Sequence, residues 1–97
     1  MGSETSAQDA QAGGLQGQIP SLEPLVTEIV ATLTLAAHAY LSDDSGREPD
    51  TAAAEMAIDI ATAAFERAKE RLRPEERLAL AQMLTETRMT FVRKRGL

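Results

Sequence analysis

The segment from residue 22 to residue 41 is the feature that most constrains how this chain can fold. It reads LEPLVTEIVATLTLAAHAYL and carries only two charged side chains, Glu23 and Glu28. Its apolar residues recur at steps of three and four, as on one face of an α-helix, yet the opposite face is also nearly uncharged. A helix that is apolar all round is either buried on more than one side or spans a membrane. The segment therefore predicts a helix that needs neighbours on several sides.

A membrane span fits this segment less well than burial does. A span needs about 20 predominantly apolar residues and commonly has basic anchors at its ends. The continuous apolar stretch here is shorter, contains Glu28 and several threonines, and has no flanking basic residue. We therefore expect no membrane partner and predict that this helix is buried in a protein interface.

The high alanine content predicts a thin hydrophobic core. Of the 97 residues 43% are hydrophobic, but 17 of these are alanine and only three residues are aromatic: Tyr40, Phe65 and Phe91. Domains of this size are marginally stable even with a full complement of large core side chains. The composition therefore predicts that the chain associates with itself, as a homodimer, or with a protein partner.

Two further helices follow the first, after a polar loop and then a proline. The helices are predicted at residues 22–41, 51–72 and 75–93. Ser21 and Asp50 are placed to cap the first two helices, and Pro74 suits the first position of the third. In the loop, Gly46 is free to take a positive φ. Because only a short turn separates the second and third helices, we expect them to form an antiparallel hairpin.

The chain is thus predicted to be an all-α, three-helix domain at residues 21–97 behind a disordered tail at residues 1–20. The tail is rich in Gly, Ser, Gln and Ala and has no apolar periodicity. The first helix either completes a three-helix bundle or packs across a dimer. The absence of cysteine excludes disulfides and suits a reducing compartment, so we expect a cytoplasmic protein.

Charge is distributed unevenly along the sequence. Residues 1–59 carry a net charge of −9, whereas residues 60–97 carry +4, for a total of −5. A head-to-tail arrangement of subunits, or a basic face turned toward an acidic partner, would use this asymmetry. Ordinary solvated helix faces explain it equally well.

The interface candidates are large side chains of the first two helices. They are Leu25, Ile29, Leu33, Leu35, Tyr40, Ile58 and Phe65. A second prediction concerns Asp59 and Arg88, which lie at similar distances before and after the break between the second and third helices. We expect this pair to form an ion pair that fixes the register of the two helices, with a structural rather than a catalytic role.

Catalytic and metal-binding chemistry is difficult to assemble from these residues. The chain has no cysteine and one histidine, His38, which lies in an apolar stretch with no acid on its helix face. Asp43 and Asp44 are adjacent and lack the alternating spacing of a calcium loop. We therefore predict a non-enzymatic protein-interaction module with no cofactor, no bound metal and no small-molecule substrate.

The basic residues of the C-terminal half support an alternative function. The candidate phosphate contacts are Arg67, Lys69, Arg71, Arg73, Arg93, Lys94 and Arg95. Such residues suit an RNA- or ribosome-associated factor. The overall negative charge, the three aromatic residues and the lack of a nucleic-acid-binding motif favour the protein-interaction module over this alternative.

Short motifs in the second half resemble a known family. They are Ile58-Asp59, the Glu-Arg-Ala-Lys segment at 66–69 leading to Leu72, Pro74-Glu75-Glu76, and Arg88-Met89 followed by Phe91-Val92. Together with the alanine-rich stretch at 36–41, they resemble the bacterial family catalogued as domain of unknown function 1844, over roughly residues 30–95. The resemblance implies a bacterial protein, and the position of some family genes near translation genes implies a connection with the ribosome or with translation.

The chain departs from the family pattern just before the third helix. Family members commonly have Gly-Asn-Leu-Thr at this point, whereas this chain has Glu70-Arg71-Leu72-Arg73. The threonine that would cap the third helix is therefore absent, and the turn is expected to have a different shape.

Overall fold

The computed structural model of the chain describes residues 19–44 and 46–96, in which it contains three α-helices and no strand. The elements are α1 (Leu22–Leu41), α2 (Thr51–Ala68), a 3₁₀ turn (Lys69–Arg71) and α3 (Pro74–Gly96). The predicted all-α fold with three helices is confirmed. The predicted tail lies outside the described residues except for its last two, Ile19 and Pro20, which are exposed and non-helical.

The capping predictions differ in outcome between the first two helices. The Asp50 side chain accepts a hydrogen bond from the Ala53 backbone N–H at 3.0 Å, as an N-cap does. Ser21 occupies the corresponding position of α1, but its hydroxyl makes no capping hydrogen bond. In the loop between these helices Gly46 has a φ of 75°, as predicted.

The ends of α2 and α3 differ from the predicted ones. Helix α2 ends at Ala68 rather than at residue 72, because the chain tightens into the 3₁₀ turn and Leu72 then takes an extended conformation. Helix α3 begins at Pro74 and continues to Gly96, three residues beyond the prediction. The positive charges of residues 93–95 interact favourably with the negative end of the helix dipole. They therefore stabilise the last turn of α3 and do not end the helix.

The core consists of two apolar clusters that lie one beyond the other along the helices. Cluster 1 contains Val26, Val30, Ala61, Phe65, Ala68, Leu72, Leu80 and Leu84. Cluster 2 contains Ala37, Leu41, Ala54, Ala57, Ile58 and Phe91. Leu33 packs against both clusters and so marks the middle of α1.

The membership of the clusters describes how the helices are paired. Cluster 1 joins the first halves of α1 and α3 to the second half of α2, and cluster 2 joins the remaining halves. Helix α1 packs against both α2 and α3 of its own chain, so the described residues form a three-helix arrangement without a second copy.

Candidate interaction surface

Apolar side chains line the surface where α1 and α2 lie side by side. We call this surface the α1–α2 face; its members are Leu22, Leu25, Ile29, Leu33, Ala36 and Tyr40 of α1, and Ala53, Met56 and Ile60 of α2. Their steps of three and four residues keep them on one side of each helix. Six of them, all larger than alanine, are between 39% and 61% exposed.

The middle of the α1–α2 face contains a groove of about 280 Å³. It is lined by Leu33, Ala36, Tyr40, Ala53, Met56, Ala57 and Ile60. The three alanines provide no side chain beyond Cβ, so a depression forms between the larger residues. Because no charged side chain lines it, the groove can receive an apolar side chain of a partner without burying a charge.

The α1–α2 face exists because α1 is apolar on two adjacent sides. Its first apolar stripe, which includes Val26, Val30 and Ala37, is buried in the core. Its second stripe lies beside the first and turns toward α2, where Met56 and Ile60 continue it. The three helices of one chain cover the first stripe and leave the second exposed. The prediction that α1 needs neighbours on several sides is therefore met within one chain for the first stripe only.

The two ends of the α1–α2 face carry different charges. At one end Arg71 Nε donates to Glu23 Oε2 at 3.1 Å, and the Glu23 backbone amide and the Arg71 guanidinium together lower the pKa of that carboxyl. Arg67, one turn before Arg71 and seven residues beyond Ile60, is exposed on the same side of α2. It forms no ion pair with any described residue.

At the other end lies the loop that connects α1 to α2. Its backbone is joined to the end of α1 by a hydrogen bond from Asp50 N to Tyr40 O at 2.8 Å. The loop carries Asp43, Asp44, Glu48 and Asp50 against a single base, Arg47. The face is therefore apolar along its length, with Arg67, which has no ion-pair partner among the described residues, at one end and an acidic loop at the other.

Five of the seven interface candidates keep an apolar surface that a partner can contact, and two do not. Leu25, Ile29, Leu33 and Tyr40 lie on the α1–α2 face. Leu35 is 72% exposed, but it lies on the side of α1 that faces away from α2. Ile58 and Phe65 are buried in the core of their own chain, so their assignment to an interface is corrected.

Three exposed residues of the face were not among the candidates: Leu22, Met56 and Ile60. Met56 and Ile60 stand beside the buried stripe of α2 at a four-residue spacing. That spacing is the one signal that the sequence offers for these two residues. It cannot distinguish a second apolar stripe from a wide core face until the positions of the neighbouring helices are known.

The predicted ion pair between Asp59 and Arg88 is corrected to a hydrogen bond with a different residue. Arg88 Nη2 donates to Thr62 Oγ1 at 2.6 Å, and Asp59 is absent from the ion pairs of the described residues. Both predicted partners do line one cavity of about 140 Å³ between α2 and α3, together with Ile58 and Phe91. Their similar height was therefore predicted correctly, but the guanidinium reaches the hydroxyl one turn further along α2.

The candidate phosphate contacts form two groups rather than one surface. One group lies where α2 turns into α3, beside cluster 1, and the other lies at the end of α3, beside cluster 2, where Arg95 stacks 5.1 Å from the ring centre of Phe91. Carboxylates lie within 4.0 Å of four of the seven bases: Lys69, Arg71, Arg73 and Lys94. A hydrogen bond from Arg73 to Glu76, and then the charges of Glu76 and Glu75, raise the pKa of Arg73.

The histidine takes part in a structural hydrogen-bond chain. Thr87 is fully buried and its Oγ1 donates to the Met83 carbonyl at 2.7 Å, while His38 Nε2 lies 3.2 Å from the same oxygen. With the hydroxyl proton committed to Met83, the imidazole is the donor in the second bond. Through its contact with His38 the buried hydroxyl joins α3 to α1. Within residues 19–44 and 46–96 no three His, Asp or Glu side chains are grouped as metal ligands.

Among the described helices, α1 has the length and mean hydropathy that a membrane span requires. It also buries Val26, Val30 and Ala37 against the other two helices. Core helices of globular proteins meet the same criteria of length and composition, so these criteria alone do not place α1 in a membrane.

Comparisons of the chain with protein-family models, with curated proteins and with solved structures found no match. The resemblance to domain of unknown function 1844 stays a prediction that rests on the motifs described above.

Proposed function

We propose that this chain is a small protein-interaction module that self-associates through its α1–α2 face. One observation carries the proposal: the described residues expose more large apolar side chains than they bury. The core has 14 buried apolar residues, of which five are alanine, leaving nine larger side chains. Against these nine stand 11 large apolar side chains that are exposed, and six of the 11 belong to the α1–α2 face.

An apolar surface of this kind is unusual on a protein that acts alone. Single exposed leucines or methionines are normal, but contiguous apolar patches mark sites of association. Leu35 and Leu78 are exposed singly on other sides of the helices and need no partner, and Met89 and Val92 form a smaller apolar pair one turn apart on α3. The α1–α2 face is continuous over the length of α1, and its groove contains no charge that a partner would have to neutralise.

The test is the oligomeric state of the full chain in solution. We expect sedimentation velocity to show a concentration-dependent dimer for the wild-type chain. Each of the single variants Ile60→Lys and Met56→Lys should be a monomer. Leu35→Lys is the matched control, because it places the same charge at an equally exposed apolar residue away from the face. Circular dichroism separates loss of association from loss of folding. A wild-type chain that stays folded and monomeric at its highest soluble concentration would overturn the proposal.

The RNA- or ribosome-associated alternative makes a different prediction. It requires binding to bulk RNA that is strong at low salt and weakens steeply as salt is added. Because the basic side chains are divided between two ends of the helices and four of them already contact carboxylates, we place this alternative behind self-association. Binding of RNA at low salt by the Ile60→Lys monomer would favour the alternative.

A further inference from the structure

The charges at the ends of the α1–α2 face decide how two copies can meet. A two-fold dimer that joins two such faces has either the ends of one face opposite the same ends of the other, or the ends exchanged. In the first case the two acidic loops approach each other, and Arg67 of each copy lies opposite the start of the other copy's α1, where Glu23 already accepts a hydrogen bond from Arg71. In the second case Arg67 of each copy approaches the acidic loop of the other.

We infer that two copies pair with their α1–α2 faces antiparallel, so that Arg67 of each chain faces the α1–α2 loop of the other. The inference rests on the proposed self-association and adds the orientation of the partner. Arg67 and the acidic loop then complement each other twice in the same dimer, whereas the parallel arrangement opposes the two acidic loops. Like-charge opposition across an interface disfavours that arrangement.

The middle of the face locates the two-fold axis. Leu33 contacts both core clusters, and Ile60 lines the same groove as Leu33. Along α2, Ile60 falls between Ala57, which belongs to cluster 2, and Ala61, which belongs to cluster 1. An axis that crosses both helices at this level places Leu25 of one copy near Tyr40 of the other. It also places Arg67, about 10 Å from the axis, at the level where the partner's α2 begins.

The size of the face suits a second copy. Leu22 and Tyr40 are about 27 Å apart along α1, and two helices side by side are about 20 Å wide. The projected area is then on the order of 500 Å² on each chain, so that two faces together reach the lower limit of about 1,000 Å² for a specific interface. The N-terminal 18 residues offer Leu15 as their one large aliphatic side chain, too little apolar surface to cover the face from within the chain.

Crosslinking distinguishes the two orientations, because the chain contains no native cysteine. In the antiparallel dimer, a short bis-maleimide should join Ile60→Cys to itself and Leu25→Cys to Tyr40→Cys. It should not join Leu25→Cys to itself, because the two copies of this residue are about 24 Å apart. In a parallel dimer Leu25→Cys crosslinks to itself and not to Tyr40→Cys. Leu35→Cys is the control for collisional crosslinking.

Charge reversal tests the contact at the ends of the face. Arg67→Glu should raise the dimer Kd about five- to tenfold at low salt, with a smaller effect at high salt because ionic strength screens exposed charges. Adding Glu48→Lys to the same chain should recover part of the lost affinity, since it reduces the net charge of the opposing loop from −3 to −1. Glu86→Lys reverses one charge at an exposed residue in the middle of α3, away from the face and the loop, and should leave the Kd unchanged.

The outcomes separate the orientation from the proposed function. A dimer in which Leu25→Cys crosslinks to itself, or in which Glu48→Lys fails to rescue Arg67→Glu, overturns the antiparallel arrangement and leaves self-association standing. A dimer in which Ile60→Cys does not crosslink at all overturns the α1–α2 face as the interface. A strict monomer overturns both.

Discussion

Two helix N-termini in this chain are preceded by a residue that can cap them, but only one of these residues does so. Asp50 accepts a hydrogen bond from Ala53 N, whereas the Ser21 hydroxyl makes no capping contact. Asp50→Ala should therefore lower the free energy of unfolding by about 1 kcal/mol, while Ser21→Ala should change it little. Urea denaturation of both variants measures the difference, and equal losses would contradict the assignment of the cap.

The ion pair between Glu23 and Arg71 should make stability depend on pH in the acid range. The Glu23 backbone amide and Arg71 lower the pKa of the Glu23 carboxyl below its ordinary value in the folded chain. A group with a lowered folded-state pKa adds stability above its unfolded-state pKa and loses it as the pH falls through the folded-state pKa. Glu23→Gln should therefore lower the melting temperature slightly at pH 7 and should no longer differ from the wild type below the folded-state pKa.

Glu28 provides the control for this pH dependence. It lies on the same helix, is exposed, and forms no ion pair with a described residue. At each pH, the melting curve of Glu28→Gln should stay closer to the wild-type curve than the melting curve of Glu23→Gln does. If the difference between Glu23→Gln and the wild type did not shrink as the pH was lowered through the acid range, the pair with Arg71 would not be its cause.

At the scale of the element, the alanines of α2 determine how closely its neighbours approach. Ala54 and Ala61 are completely buried, whereas Ala63 is exposed on the outer side of the same helix. Ala61→Leu should destabilise the fold by about 1–3 kcal/mol, because the larger side chain must displace packed neighbours. Ala63→Leu should change stability by less than about 0.5 kcal/mol. Chemical denaturation of the two variants makes the comparison, and a tolerated leucine at residue 61 would show that α2 is loosely packed.

The helices themselves could be predicted from the sequence because their signals are local. The apolar periodicity, the Asp50 cap and Pro74 act within one turn of chain, and the observed α1 has the predicted bounds. The end of α2 could not be placed, since the 3₁₀ turn depends on how Leu72 enters cluster 1 and on the extended chain before Pro74. The partner of Arg88 depends on the relative rotation of α2 and α3, which residue counting does not include.

The candidate surface could be predicted only in part, for a reason of the same kind. The apolar character of α1 on all sides showed that it needs several neighbours, but not which of its sides the neighbours in one chain would cover. The size of Ile58 and Phe65 predicts a place in an interface, but the thin core requires both of these side chains for itself. Met56 and Ile60 continue the same apolar surface and became distinguishable only once α1 had a position beside α2.

At the scale of the whole molecule, the balance between buried and exposed apolar side chains links stability to association. Nine buried residues larger than alanine are a small core for the described part of the chain, and hydrophobic stabilisation scales with the apolar area removed from water. Pairing of two α1–α2 faces removes further apolar surface from water. Self-association should therefore contribute to the stability of each folded chain.

This coupling predicts that the melting temperature depends on protein concentration. Because the dimer binds only folded chains, a tenfold increase in concentration favours it by about 1.4 kcal/mol of dimer, which corresponds to a rise of a few degrees for a domain of this size. Calorimetric scans of the wild type over a hundredfold range should show this rise, and Leu35→Lys should show it equally. Ile60→Lys should melt at a lower temperature that is the same at every concentration. A wild-type melting temperature independent of concentration would mean that the exposed face adds nothing to stability, and that the thin core alone holds the fold.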